Sequence, residues 1–224
     1  MMLEGKKIII TGGASGIGRA SAVLAANEGA DIAVADIDRV AADATAELVR
    51  AKGREALVVE MDTSKVADAQ RMADEAVAAF GTIDGIVCCA IKQKPAKLEE
   101  LSEEEWDMVI DIGLKGYFLC AQAAGRVMLE RGSGSIVFVS SVGGVQAYNG
   151  AGAHSIAKAG NVMLGNLFGV EWGGRGGRAN TVLPGQVPTP LTQAMFDDPE
   201  IAAGRAAVVP MGRVGQPEEI AEAC

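Results

Sequence analysis

Short apolar segments alternate with longer segments of helical period along this chain, and the alternation limits the folds open to it. The apolar segments, rich in Val, Ile and Ala, are residues 6–11, 31–36, 56–60, 85–89, 135–140 and 178–183. The helical segments are about 16–28, 39–52, 65–80, 102–131 and 153–172. Strands that are apolar on both faces and separated by helices predict a parallel sheet covered on both sides. The predicted fold class is therefore α/β, a doubly wound parallel sheet.

The chain has 224 residues, of which 49% are hydrophobic, so it can bury one large core. We find no linker and expect a single domain over residues 1–224. Residues 184–210 are rich in proline and small residues and break the alternation, so they predict a mobile substrate loop. Ser102 and Glu105 form a capping-box pattern at the start of the fourth helical segment.

Charge and cysteine usage exclude several classes of function. Acidic residues outnumber basic ones by 29 to 20, which argues against a nucleic-acid partner. The first strand begins too early for a signal peptide, and no apolar run approaches the about 20 residues that span a bilayer. We expect a soluble cytoplasmic protein with no membrane partner. Cys88, Cys89, Cys120 and Cys224 have neither CxxC nor metal-ligand spacing, so no metal site or disulfide framework is predicted.

The segment Thr11-Gly12-Gly13-Ala14-Ser15-Gly16-Ile17-Gly18-Arg19 joins the first strand to the first helix. A pyrophosphate can approach a helix amino terminus where side chains do not obstruct it, and Gly12, Gly16 and Gly18 provide that opening. The spacing is not the usual G-x-G-x-x-G, and by itself it could be a structural turn. Asp36, however, ends the second strand where a ribose-binding carboxylate is expected. Together they predict a dinucleotide site, and Asp36 favours NAD over NADP, with Arg39 as the nearby cation.

The glycine-rich segment resembles the cofactor loop of the short-chain dehydrogenase/reductase family. Similarity continues at Asp62-Thr63-Ser64, at Asn180, at Pro184-Gly185-Gln186-Val187-Pro188-Thr189, and through residues 210–221. The resemblance implies a Rossmann-like fold and a nicotinamide cofactor. The cofactor-binding residues that it implies are Gly12, Ser15, Gly16, Ile17, Gly18, Asp36, Asp62, Thr63, Cys88, Ala90, Lys158, Pro184, Gly185, Val187 and Thr189.

The resemblance also implies a catalytic set of Ser141, His154 and Lys158. Ser141 would donate a hydrogen bond to the substrate oxygen, and Lys158 would position the nicotinamide ribose. His154, however, stands where the family has a tyrosine. Two further departures are Gly113, in the place of an asparagine that supports a water relay, and Ile91, in the place of a glycine.

These departures have different expected consequences. Burial and the Lys158 ammonium should keep His154 neutral, and its ring stops about 2 Å short of a tyrosine hydroxyl. Tyr148 is a less favoured replacement acid, because it does not keep the spacing to Lys158. Water is expected to fill part of the gap at Gly113. Ile91 should resist a positive φ and alter the local backbone.

The predicted function is transfer of hydride between NAD and an alcohol or carbonyl substrate. Two alternatives remain: a catalytically impaired homologue that binds NAD(H) in a sensing, scaffolding or partner-subunit role, and non-redox chemistry on the same scaffold. By resemblance, a homodimer or homotetramer would form through segments 102–131 and 153–172. Leu164, Phe168 and Trp172 suit either that interface or the subunit's own core. Residues 220–224 have a mid-helix pattern, so we expect the natural protein to continue into a seventh strand that is missing here.

Overall fold

The structure is a computed structural model that describes residues 1–193 and 195–224. Within them, one parallel sheet has the strand order β3-β2-β1-β4-β5-β6. Its strands are β1 (Lys7–Thr11), β2 (Asp31–Asp36), β3 (Ala56–Glu60), β4 (Gly85–Cys88), β5 (Gly134–Val139) and β6 (Gly177–Val182). This is the doubly wound order, so the predicted fold class is confirmed. The carboxyl ends of the strands share one edge of the sheet.

The helices cover both faces of the sheet. They are α1 (Gly16–Asn27), α2 (Arg39–Arg50), α3 (Val66–Phe80), α4 (Glu103–Ile110), α5 (Gly116–Glu130), α6 (Ala153–Trp172), α7 (Pro199–Ala207) and α8 (Pro217–Ala221). The capping box predicted at Ser102 and Glu105 is present at the start of α4. A π-helical turn, Asp111–Lys115, joins α4 to α5, so the single helix predicted over residues 102–131 is interrupted.

The core lies in two layers because neighbouring strand residues point to opposite faces. Ile9 and Ile86 pack with α3, α5 and α6 on one face. Ile10 and Val87 pack with α1 and α2 on the other. Both faces of the central strands are therefore buried, which explains their nearly continuous apolar sequence. The predicted strands match the observed ones to within one residue at each end.

The segment 184–210 contains a helix that the sequence did not predict. Asp198 caps α7, and its carboxylate accepts hydrogen bonds from the amides of Glu200 and Ile201. None of the helix residues is buried, so α7 lacks the apolar stripe that identifies a helix in sequence. The prediction of an irregular loop is wrong here, while the substrate role of the segment stays a prediction.

The helices also bear on membrane insertion. Across residues 1–193 and 195–224, none combines the length and the apolar character needed to cross a bilayer.

Candidate active site

The glycine-rich segment forms a tight turn between β1 and α1. A Cβ on Gly12 would lie 2.7 Å from the main chain of Ala90, and one on Gly18 would lie 2.1 Å from the Gly12 carbonyl oxygen. Gly12 and Gly16 have φ angles of 68° and 52°, which disfavour other residues. The glycines therefore allow two main-chain segments to pack closely and leave the start of α1 open.

The amino terminus of α1 has the character of an anion site. Ser15 is the N-cap, but its side chain makes no capping hydrogen bond in the described chain. The first-turn amides, including that of Ile17, thus lack a side-chain acceptor, and the helix dipole favours a negative charge there. Thr189 lies over the turn, with its Cβ 3.3 Å from the position of a Cβ on Gly16. These features fit a pyrophosphate group.

Asp36 lies at the end of β2, beside this turn. Its Oδ2 accepts a hydrogen bond of 3.0 Å from the Ala14 amide, and its Oδ1 accepts one of 3.1 Å from the Asp38 amide. Each carboxylate oxygen can accept a further bond, so Asp36 retains capacity for hydroxyl groups. The nearby cation, Arg39, pairs with Asp43 at 3.1 Å on its own helix.

Asp62 and Thr63 follow β3 at the same edge of the sheet. Asp62 Oδ1 accepts hydrogen bonds from the amide and the hydroxyl of Ser64 at 2.9 and 2.7 Å. Thr63 is buried against Gly116 of α5. A cavity of about 530 Å³ opens here, and its lining includes Ile37, Met61 and Asp62. Asp62, the residue that the resemblance places against the adenine, is part of this lining, and most of the other lining residues are charged side chains of α2, β3 and α3.

The segment after β6 folds back over the edge of the sheet. The Pro184 carbonyl accepts a 3.0 Å hydrogen bond from the Val142 amide, next to Ser141. Val187 is buried, whereas Gly185 is exposed. Because Thr189 lies over the glycine turn, this segment connects the predicted phosphate and catalytic regions.

Ser141 caps a short 3-10 turn, Val142–Gly144. Its Oγ accepts a 3.0 Å hydrogen bond from the Gly143 amide, so the hydroxyl proton remains available to a substrate oxygen. Its neighbour Ser140 donates a 2.7 Å bond to the Lys158 carbonyl. The serine turn is thereby attached to α6, which carries both His154 and Lys158.

His154 lies in the first turn of α6. Burial and the positive charge of Lys158 lower its pKa to about 4. The direction of this shift agrees with the expectation of a ring that is neutral at neutral pH. Its Nδ1 is buried and has no hydrogen-bond partner among the described residues. We therefore consider Nε2, the outer ring nitrogen, as the atom for any proton exchange with a substrate.

Lys158 occupies an unexpected position, with only 3% of its surface exposed. Its Nζ donates hydrogen bonds of 2.7 Å to the Val139 carbonyl and 3.0 Å to the Tyr117 hydroxyl. The ammonium thus points into the core, which differs from the expectation that it reaches a ribose in the cleft. Tyr117 was missed because a tyrosine in an apolar helical segment is typical of a core residue.

Comparison with known proteins agrees with this geometry. The profile of a family described as enoyl-(acyl carrier protein) reductase matches residues 12–224. D-threitol dehydrogenase of Mycolicibacterium smegmatis is 38% identical over 221 residues, covering 99% of this chain and 85% of that protein. The chain belongs to the short-chain dehydrogenase/reductase family. Cis-4-hydroxycyclohexanecarboxylate dehydrogenase of Sinomonas cyclohexanicum is 39% identical over 216 residues, 96% of this chain and 86% of that one. The crystal structure of levodione reductase superposes with a TM-score of 0.94 at 33% identity, covering 99% of this chain and 88% of that one.

Gly113 and Ile91, the two positions singled out in the sequence analysis, touch each other in this short-chain dehydrogenase/reductase. Gly113 is buried in the π-helical turn, and Ile91 Cδ1 lies 2.5 Å from the place that a Cβ on Gly113 would occupy. The end of Ile91 occupies the part of this gap next to the Gly113 main chain, which leaves less room for the expected water. No described non-glycine residue has a positive φ, so Ile91 avoids the strained backbone considered above.

The π-helical turn is supported by a residue that sequence reasoning missed. Asn161 is fully buried on α6, and its Nδ2 donates a 2.9 Å hydrogen bond to the Gly113 carbonyl. This bond satisfies an oxygen in the irregular turn, where the regular helical hydrogen-bond pattern is interrupted. A lone asparagine in a helical segment gives no sequence signal for such a role.

The cysteines of β4 behave as small core residues. Cys88 is fully buried and packs against α5, and burial raises the pKa of both the Cys88 and the Cys89 thiols. Both are free thiols. The whole of Cys88 is buried, so it presents no surface to a cofactor, while Ala90 contributes main chain beside Gly12. Within the described residues, no group of His, Cys, Asp or Glu side chains could hold a metal ion.

Two segments expected to wall the substrate cleft, residues 92–97 and 142–150, meet before the start of α6. Ala96 forms an isolated bridge with Ala151, and its amide donates a 3.1 Å bond to the Gly150 carbonyl. Tyr148 packs on Gly143: a Cβ there would lie 2.7 Å from Tyr148 Cε1 and 3.3 Å from Ser141 Oγ. The fold therefore brings Tyr148 to the serine turn despite its different spacing to Lys158.

Proposed function

We propose that this chain is an NAD(H)-dependent oxidoreductase that transfers hydride between the nicotinamide and an alcohol or carbonyl substrate. The observation that carries the proposal is the open amino terminus of α1 next to Thr189, whose segment also hydrogen-bonds through Pro184 to the residue after Ser141. Relatives named as dehydrogenases of D-threitol and of a hydroxycyclohexane carboxylate support an alcohol or carbonyl as the substrate class.

The residues present fit a dinucleotide. The amides around Gly16 and Ile17 would hold the pyrophosphate, Asp36 the adenosine ribose, and Asp62 the adenine edge. Main-chain groups of Ala90 and the segment containing Val187 would flank the nicotinamide. When bound, the nicotinamide supplies or accepts the hydride, and the protein supplies position and electrostatics.

The remaining chemistry falls to two side chains of the cleft. Ser141 donates its hydroxyl proton in a hydrogen bond to the substrate oxygen, which favours negative charge developing there. His154 exchanges a proton with that oxygen through Nε2. With a pKa of about 4, its imidazolium is only about one part in a thousand at pH 7, so it is a poor acid for carbonyl reduction.

An assay of NADH oxidation with linear and cyclic ketones tests this function. We expect turnover with at least one ketone, and Ser141→Ala should lower kcat/KM about tenfold, through the loss of one neutral hydrogen bond. The matched control is Ser133→Ala, an exposed serine in the turn between α5 and β5. Binding of NADH without turnover on any ketone would contradict the proposal.

The second candidate is a homologue that binds NAD(H) without efficient catalysis, in a sensing, scaffolding or partner-subunit role. Two observations favour it: Lys158 points away from the cleft, and Ile91 fills the space beside Gly113. Neither affects the glycine turn, so cofactor binding would survive. A separate equilibrium titration with NADH distinguishes this candidate from a protein that binds no nucleotide.

We further propose a cytoplasmic homodimer or homotetramer. Phe168 and Trp172 pack edge to face inside the subunit with centroids 4.5 Å apart, so they are core residues. The exposed stripe on α6 is instead Met163, Leu167 and Val170, spaced for one helix face. Leu167→Glu should therefore convert the assembly to monomers in sedimentation velocity, whereas Leu48→Glu on α2 should not. A monomeric wild-type chain would refute this proposal.

A further inference from the structure

The Lys158 ammonium is part of a closed polar triangle beneath the cleft. It donates to Tyr117 and to the Val139 carbonyl, and the Tyr117 hydroxyl donates a 3.1 Å bond to the same carbonyl. The ammonium also lies 4.7 Å from the centroid of the Tyr117 ring. Tyr117 is only 1% exposed, so it cannot touch a substrate in the cleft.

The positive charge of Lys158 is therefore buried, and few groups nearby can stabilise it. The thiols of Cys88, at the end of β4, and of Cys89, the next residue, lie near Lys158 and are neutral. His154, one turn earlier on α6, is neutral as well. Burial lowers the Lys158 pKa to about 8. Among the described side chains, Tyr117 is the one that hydrogen-bonds Nζ, and a buried charge depends strongly on such partners.

We propose that Tyr117 is a positioning residue that holds the Lys158 ammonium below the cleft and so weakens the contact of Lys158 with the cofactor ribose. The lysine then has two available positions, one on Tyr117 and Val139 and one extended toward the cleft. The ribose part of this proposal rests on the proposed function. The position of Lys158 does not.

A purely structural role for Tyr117 makes different predictions. A buried tyrosine commonly satisfies its hydroxyl with a nearby carbonyl, here that of Val139, while its ring packs near Phe138 with centroids 6.1 Å apart. Tyr117→Phe would then alter stability but leave the Lys158 titration unchanged. If Tyr117 positions Lys158, the same change removes an acceptor from the buried ammonium and favours its exit to water.

The test is an NMR titration of lysine side chains in the full chain, with the Lys158 signal assigned by Lys158→Met. In Tyr117→Phe we expect the Lys158 pKa to rise from about 8 toward its ordinary value of 10.5. We expect NADH to bind about three- to tenfold more tightly, the effect of one gained hydrogen bond. An unchanged or lower Lys158 pKa would overturn the proposal.

Two further variants keep the result interpretable. Tyr117→Leu also lacks the hydroxyl and should shift the Lys158 pKa in the same direction. If one of the two variants does not fold, the other still tests the proposal. Tyr148→Phe removes the chain's other tyrosine hydroxyl and should leave the Lys158 titration at the wild-type value. If neither the wild type nor the variants bind NADH, the proposed function is wrong. The NMR titration still shows whether Tyr117 holds the Lys158 ammonium in its buried position.

Discussion

Replacing His154 with tyrosine is expected to raise kcat/KM for carbonyl reduction about ten- to a thousandfold. A phenol on the same Cα reaches further toward Ser141, and it is fully protonated at pH 7, whereas the imidazolium form of His154 is scarce. Because His154 is separate from the glycine turn, NADH affinity should change little. Steady-state kinetics on one reducible ketone, with NADH titration in parallel, measures both quantities.

His154→Phe is the matched control, because it has an aromatic ring and no exchangeable proton. It should reduce activity below that of wild type. A loss of activity in His154→Tyr would show that the site is built around the imidazole and that our account of a poor acid is wrong. An absence of turnover in all three proteins would favour the binding homologue.

Asp36→Asn is expected to reduce the preference for NADH over NADPH about a hundred- to a thousandfold. The carboxylate would repel a 2′-phosphate, and like charges so placed cost several kcal/mol. Asparagine is the informative replacement because its oxygen can still accept the hydrogen bond from the Ala14 amide. The change therefore removes the negative charge at residue 36 and keeps its hydrogen bond to the glycine turn. Equilibrium titrations with both cofactors at one salt concentration give the ratio.

Glu130→Gln serves as the control, since Glu130 is exposed at the end of α5, at the opposite edge of the sheet from Asp36, and the change alters net charge equally. It should leave the ratio of the two dissociation constants within about twofold of wild type, because exposed charges more than a Debye length away are screened. Tighter binding of NADPH than of NADH by the wild-type chain would refute the assignment of NAD.

The strands of the sheet could be predicted from the sequence, because strands that are covered on both faces must be apolar throughout and are bounded by turns. Helix α7 could not be predicted in this way, because its residues remain exposed and show no apolar stripe. The sequence also predicted a neutral His154, since the spacing to Lys158 on one helix already places a charge nearby.

The position of the Lys158 ammonium depended on contacts between distant segments. Tyr117 on α5 and Val139 on β5 meet Lys158 only after the sheet has formed, and a long flexible side chain can turn toward either the cleft or the core. Periodicity and spacing along the chain do not encode that choice. The same holds for Ile91 and Gly113, whose contact follows from where β4 ends and where the π-helical turn lies.

The fit between Ile91 and Gly113 also makes the effects of substitutions at these two positions depend on each other. Enlarging residue 113 first crowds the end of Ile91, and inserting atoms into a packed interior costs about 1–3 kcal/mol. Shrinking residue 91 first leaves a hole, which costs about 2–5 kcal/mol for an isoleucine reduced to a small residue. Each single change is therefore expected to destabilise the chain. Because the two residues touch, the double change should destabilise it by less than the sum of the two single changes.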